Sequence, residues 1–322
     1  MRHLHLLVAD LPAPAAPDRL PALSALLARG RPLEGAQPSL TAALCRAFGL
    51  AADCPVAPLT LALDGMDPGD AYWLRADPVH LSVHIDKLVL NDSRLLRLAP
   101  EEARRIAADL SAHFAGDGLE FLALAPGRWY LRLPEPPRLV TAPLDAVAGR
   151  AIDGFLPRGE AARAWRSRFN EIQMLLHAHP ANAEREARGE LAVNSVWFWG
   201  GGVLPDMPDP TYGRVCGDTV TARALARAAG LPAEAEPGGF SALAGRGADA
   251  LVVLDELPTP ARYEDQSACD AILQAYESRW LAPALSALQR GRLRKLTLEG
   301  TGAHPVKVQL TSMDAWRLWR RR

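Results

Sequence analysis

Two short apolar runs constrain this chain most. Residues 4–8 lead to Asp10, and residues 250–254 lead to Asp255-Glu256. An apolar run of this length bounded by acids and turn residues reads as a buried strand. Both runs sit in strand–helix alternation. Helical spacing at 20–29 and 39–48 follows the first. A helix over 218–229, capped by Asp218 or Thr219 and stopped by Gly230, precedes the second. A long helix over 267–288 and strands over 293–298 and 306–310 close the chain.

Between these ends the pattern changes. A strand is expected over 59–63, then strands at 71–74 and 81–83. Pro100-Glu101-Glu102 opens a helix to Phe114, and a hairpin over 120–124 and 129–133 turns at Ala125-Pro126-Gly127-Arg128. The helix over 160–177 carries Trp165, Phe169, Ile172 and Leu176 on one face. Alternation at both ends around an α+β block predicts an α/β fold, a three-layer, mostly parallel sheet core interrupted by an inserted α+β domain. The core is expected over 1–66 and 187–322, and the lid-like insertion with its return helix over 67–186.

Composition narrows the function. The chain has 322 residues, 49% of them hydrophobic, which is ample for a large core. A net charge of −1 gives no basic field for nucleic acid, and no apolar run reaches bilayer-spanning length. The first ten residues are too short and polar for a signal peptide. The four cysteines show no CxxC spacing, so reduced thiols and a cytoplasmic setting are expected. Trp316, Trp319 and Arg320, Arg321, Arg322 form a short aromatic, basic tail, expected to pack its tryptophans on the body.

Chemistry concentrates between 179 and 202. His179-Pro180-Ala181-Asn182 and Arg185 follow a long helix, and residues 193–199 form a strand that runs into Gly200-Gly201-Gly202. Glycines at a strand end let backbone N–H groups approach an anion, although glycine runs are more often tight turns. This stretch resembles a signature of the archaeal-type, cofactor-independent phosphoglycerate mutases of the alkaline phosphatase superfamily. Other segments resemble that family too. Asp10 stands where it has its first metal-binding aspartate. Pro38-Ser39-Leu40-Thr41 resembles the segment that holds its phosphorylated serine, with Ser39 and Thr41 straddling that position. Residues 69–76 and 92–97 resemble its segments with ligand-contacting arginines. The resemblance implies an alkaline-phosphatase type of core. It also implies ligand contacts at Arg75, Arg94, Arg97, His179, Asn182, Arg185, Asn194, Gly200 and Gly201.

The metal machinery departs from the family pattern. Asp255 and Glu256 match a strand ending in acids, but Thr259 stands where a histidine is expected. Leu298-Glu299-Gly300 replaces a strand ending in Asp-His. The resemblance thus implies that Asp10, Asp255 and Glu256 are vestigial metal positions. The chain resembles the RpfE-type regulatory proteins, as does its 313–321 ending. The expectation is a degenerate, non-catalytic protein that binds a phosphorylated or acidic small metabolite in a regulatory role. It would need no cofactor, touch no nucleic acid and insert in no membrane, while an unidentified protein partner remains open. The alternative is an active phosphomutase or phosphatase using Mn or Zn in a rearranged cage with Glu299 and His304. A third possibility is an interaction protein whose cleft is filled by Trp73, Trp197 and Trp199.

Overall fold

A computed structural model describes residues 1–12, 19–243, 247–262 and 265–316. The tail from 317 onward, with Trp319, lies outside them. In chain order the strands are β1 (His3–Val8), β2 (Arg31–Pro32), β3 (Tyr72–His84), β4 (Lys87–Asn91), β5 (Glu120–Ala125) and β6 (Arg128–Leu133). They continue with β7 (Ser195–Gly202), β8 (Arg214–Cys216), β9 (Ala233–Glu234), β10 (Ala250–Leu254), β11 (Lys295–Gly300) and β12 (Val306–Thr311). The chain divides into two compact units. One comprises Met1–Ala52 and Met207–Arg322, and the other Asp53–Asp206.

The first unit holds a seven-stranded sheet of order β2-β12-β11-β1-β10-β8-β9. Its β9, β8, β10, β1 and β11 run parallel, β12 pairs antiparallel with β11, and β2 pairs antiparallel with β12. β10 is buried at all five positions, as a central parallel strand covered on both faces must be. In β1 the side chains alternate in kind. Leu4, Leu6 and Val8 join a core with Leu23, Leu26, Trp280, Leu288 and Leu298. Each such leucine contributes roughly 1.5–3 kcal/mol by leaving water. His3 and His5 take the alternate positions, which a strand's period of two turns to the opposite face.

The long helix expected over 267–288 is interrupted. Gln266–Tyr276 and Ala282–Gln289 are α-helical, and Glu277–Leu281 between them is a one-turn π-bulge. There the buried Glu277 carboxylate accepts the N–H groups of Ala22 and Leu23, at the open end of the Pro21–Arg29 helix. That helix has no side-chain cap of its own, so the bulge supplies one from a distance. The reduced state expected of the cysteines applies to Cys216 and Cys269, which are free. Cys45 and Cys54 are each disulfide-bonded, against that expectation.

The second unit is built on antiparallel strands ordered β4-β3-β6-β5, with β7 also pairing β3. Two expectations change here. β3 is one strand of 13 residues where two short ones were expected. β7, expected in the core sheet, pairs antiparallel with β3 from Val79–Ser195 to Trp73–Gly202. That pairing moves the return boundary from 187 to 207. The expected strand at 59–63 is part of the Val56–Leu63 helix. All six residues from Val56 to Leu61 are buried, so no amphipathic period shows and the apolar run mimics a strand. Thr60 fits the helix by donating its hydroxyl to the Val56 and Ala57 carbonyls at 3.0 and 3.1 Å. The first boundary accordingly falls at 52/53 and not at 66/67.

Candidate functional site

The carboxyl ends of β10, β1 and β11 lie side by side, with Val8 in register with both Leu254 and Gly300. Such edges are where open α/β sheets bind ligands. Beyond the ladder the chains stay joined: Ala9 N–H donates to the Leu254 carbonyl at 2.8 Å, and Thr301 N–H to the Val8 carbonyl at 3.0 Å. Asp10 N–H donates to Thr301 Oγ1 at 3.1 Å. Asp10 is left-handed, at φ +50°, a conformation that costs a non-glycine residue about 1–2 kcal/mol. Gly302 makes the space for it. Its φ is +110°, and a Cβ there would lie 3.1 Å from the Asp10 Cα.

Gly302 N–H also donates to the Pro38 carbonyl at 3.0 Å, which brings the 38–41 segment to this edge. Ser39 is buried and caps the Leu40–Ala47 helix, its Oγ accepting from Ala42 N–H at 3.1 Å. Thr41 is buried in the first turn. Asp255 and Glu256 follow β10 directly, and Glu256 N–H donates to the Tyr276 hydroxyl at 3.0 Å. The fold thus carries Asp10, Ser39 and Asp255 to one end of one sheet. Among the described residues, no group of three or more His, Cys, Asp or Glu side chains is placed to hold a metal ion.

Glu299 is engaged elsewhere. It is fully buried in β11, where Lys307 Nζ donates to its Oε2 at 2.8 Å and His5 Nε2 lies 3.1 Å from the same oxygen. His5 Nδ1 lies 2.7 Å from the Tyr212 hydroxyl. Burial pushes the Glu299 carboxyl up, but the hydrogen bonds from His5 and Lys307 outweigh it and hold it below its ordinary range. Burial holds His5 below its usual 6.5 against the pull of Glu299. Neutral His5 beside an ionised carboxylate fixes the proton: Nε2–H donates to Glu299, and Nδ1 accepts from Tyr212. Burial raises the Tyr212 hydroxyl to about 12, which keeps it a donor. His3 lies next along the strand, its Nε2 2.9 Å from Thr297 Oγ1. Burial, then Lys295, lowers its pKa to about 4. Sequence reading did not single out this polar layer. Its signal is the alternation of His3 and His5 with leucines in an otherwise apolar strand.

In the second unit, five of the residues resembling ligand contacts, Arg75, His179, Asn182, Arg185 and Asn194, are bonded within the protein itself. Arg75 is buried. It donates to Asp77 Oδ1 through Nη2 at 2.6 Å and Nε at 3.1 Å, and lies over the rings of Tyr130 and Trp199. Asp77 also accepts from Trp199 Nε1 at 2.8 Å and from Trp129 N–H at 3.2 Å. His179 caps the Pro180–Ala187 helix through Nδ1, and its Nε2 lies 2.9 Å from Asp109. Asn182 donates to the Leu176 and Val193 carbonyls at 2.7 Å each and accepts Val193 N–H at 2.8 Å. Arg185, fully buried, donates to the carbonyls of Leu191 and Leu96 and to Glu102. Asn194 exchanges two bonds with the backbone of Leu81, as a strand residue would. The signature stretch therefore acts as a staple, tying a helix end to the start of β7.

The glycine run is corrected in the same way. Gly200 and Gly201 lie inside β7 and not beyond it. A Cβ would come within 2.5 Å of Val56 Cγ2 at Gly200 and 2.5 Å of Leu74 Cδ2 at Gly201. Close packing thus accounts for both glycines, and at Gly200 a left-handed φ of +62° adds to it. Of the expected arginine contacts, only Arg94 and Arg97 are exposed, and Arg94 pairs with Asp92 at 2.8 Å. Trp73, Trp197 and Trp199 are buried and donate through Nε1 to Pro68, Ala142 and Asp77. No described helix is long and apolar enough to cross a membrane.

No family model matches the chain. It is 28% identical over 203 residues to a probable 2,3-bisphosphoglycerate-independent phosphoglycerate mutase of Geobacter sulfurreducens, covering 59% of this chain and 50% of that protein. It is 35% identical over 69 residues to the corresponding mutase of Methanothrix thermoacetophila, covering 21% of this chain and 18% of that protein. The chain thus spans half or less of the length of these curated relatives. A solved structure of a Pyrococcus horikoshii protein shares the fold at a TM-score of 0.54 and 14% identity, covering 96% of this chain and 87% of that one.

Proposed function

We propose that this phosphoglycerate-mutase-like protein binds a phosphorylated or acidic small metabolite in a regulatory role and performs no metal-dependent phosphoryl transfer. The observation that carries the reading is the commitment of Glu299 to Lys307 and His5. Glu299 stands where the family pattern places its late pair of metal ligands. Two-metal transfer needs carboxylates and imidazoles around ions roughly 3.5–4 Å apart. Here an ammonium already neutralises the carboxylate, and a dication would have to displace it from a buried layer. The donor set does not fit a metal pair.

An anionic ligand is drawn to guanidinium groups. Of the expected contacts, Arg94 and Arg97 are the two exposed arginines. Calorimetry with 3-phosphoglycerate tests the reading. It expects saturable heat in metal-free buffer that is lost in an Arg94→Gln/Arg97→Gln double variant and kept in Asp10→Asn. Absence of heat overturns the ligand part.

One observation favours the enzyme alternative: the left-handed Asp10 held beside Ser39 and the end of β10, since backbone strain gathers at working sites. That reading requires turnover with added Mn or Zn that Asp255→Ala abolishes.

A further inference from the structure

The amino end of the same sheet holds a second feature. The Ala282–Gln289 helix stops at Arg290 and the chain turns through Gly291 into β11. That turn reads Arg290-Gly291-Arg292-Leu293-Arg294-Lys295, four cations in six residues with no acid among them. Beside it lies a cavity of about 420 Å³, lined by Phe240, Pro283, Ser241, Ser286, Arg290 and Arg292. Phe240 is almost fully buried and belongs to the hydrophobic core, so the apolar part of the lining is fixed by packing. Arg290 and Arg292 are exposed, and among the described residues neither guanidinium has an ion-pair or hydrogen-bond partner. β11 separates this end from the Thr301–Gly302 edge by six residues, about 20 Å at roughly 3.3 Å per residue.

We infer that this cavity is a binding site for a small amphipathic anion, an apolar chain or ring bearing one carboxylate or phosphate. The volume lies within the range of small-molecule sites, which join an apolar surface to a few polar groups that fix orientation. Phe240 and Pro283 receive the apolar body. Arg290 and Arg292 take the anionic head as a fork, and the Ser241 and Ser286 hydroxyls complete its hydrogen bonds. Two unpaired cations at the mouth of an apolar recess select against a neutral ligand of the same shape and against a free inorganic anion. The first lacks the charge and the second the body. The site is independent of the phosphoglycerate reading, whose contacts are Arg94 and Arg97.

Titration of the whole protein with octanoate, 1-octanol and inorganic phosphate, followed by NMR or calorimetry, tests the assignment. Octanoate is expected to bind at least tenfold more tightly than octanol or phosphate. An Arg290→Gln/Arg292→Gln double variant is expected to weaken octanoate at least tenfold and leave octanol unchanged, with its melting temperature retained. A bulky Ser286→Phe variant, placed to fill the recess, is expected to weaken octanoate and octanol together. Equal affinity for octanoate and octanol, octanoate binding that survives both variants, or no octanoate binding overturns the site. Failure of 3-phosphoglycerate to bind leaves it standing.

Discussion

Asn182 shows how a residue that resembles a ligand contact serves as structure. Its amide satisfies three backbone groups, and Asn182→Ala would leave a buried N–H and two carbonyls without it. We expect a loss of about 2–4 kcal/mol in denaturant unfolding, with 3-phosphoglycerate affinity unchanged. The identity of the stretch was legible in the sequence because its spacing is distinctive. Its role was not, because a buried hydrogen-bonding staple and a ligand contact draw on the same residue types. Arg75 and Arg185 make the same point, since guanidinium groups suited to phosphate suit Asp77, Glu102 and backbone carbonyls equally well. The histidines of β1 give a pH dependence. Both His3, at about 4, and His5 titrate below 6.5 in the folded state. The unfolded chain therefore binds more protons as pH falls below 6.5, and stability, full above that value, declines toward pH 4. Glu299, also lowered, loses its contribution further down, as pH falls below its ordinary range through its folded value. Thermal melts across this window should show the decline, and His3→Gln should flatten it. A flat wild-type profile would contradict the neutral, buried assignment of these rings.

Element by element, the sequence was most readable where one face is apolar and the other wet. The Ala162–His177 helix buries Trp165, Phe169, Ile172 and Leu176 as its spacing requires. The β5–β6 hairpin and β10 also lie where they were expected. It was least readable where a helix lacks a wet face, as over the buried residues Val56 to Leu61, and where an element is broken to serve another. The π-bulge at Glu277 has no apolar periodicity to mark it, because its task is to cap the Pro21–Arg29 helix. Glu277→Gln keeps the size of the side chain but removes the charge at that helix end. It should cost roughly 0.5–2 kcal/mol in denaturant unfolding. The β3–β4 hairpin predicts the opposite sign. Ile85, the first of two turn residues, is fully exposed with φ +56°, a backbone state that disfavours a β-branched side chain. Ile85→Gly should raise stability by about 1 kcal/mol, and a loss of stability on that change would indicate that the isoleucine has a packing role.

At the scale of the whole molecule, the α/β class with a parallel sheet was legible, because strand–helix alternation survives at both ends of the chain. The boundaries were misplaced at both junctions, since the Val56–Leu63 helix and β7 belong with the β3 sheet, and pairing partners leave no local trace in sequence. Asp53–Asp206 is a continuous segment with its own sheet and core, so as a fragment it should unfold cooperatively by circular dichroism. A non-cooperative melt would show that it depends on the rest of the chain. The site follows the same logic. Asp10 and Asp255 follow strands that the sequence marks, whereas Glu299 takes Lys307 from the adjacent β12 but His5 from β1, at the other end of the chain. On the proposal above, Glu299, held by Lys307 and His5, is lost to any metal cage. The most direct test is metal stoichiometry of the whole protein equilibrated with Mn or Zn, read alongside interconversion of 2- and 3-phosphoglycerate. The account predicts no stoichiometric pair of ions and no turnover. Two ions bound per chain, with turnover that Glu299→Gln abolishes, would contradict it.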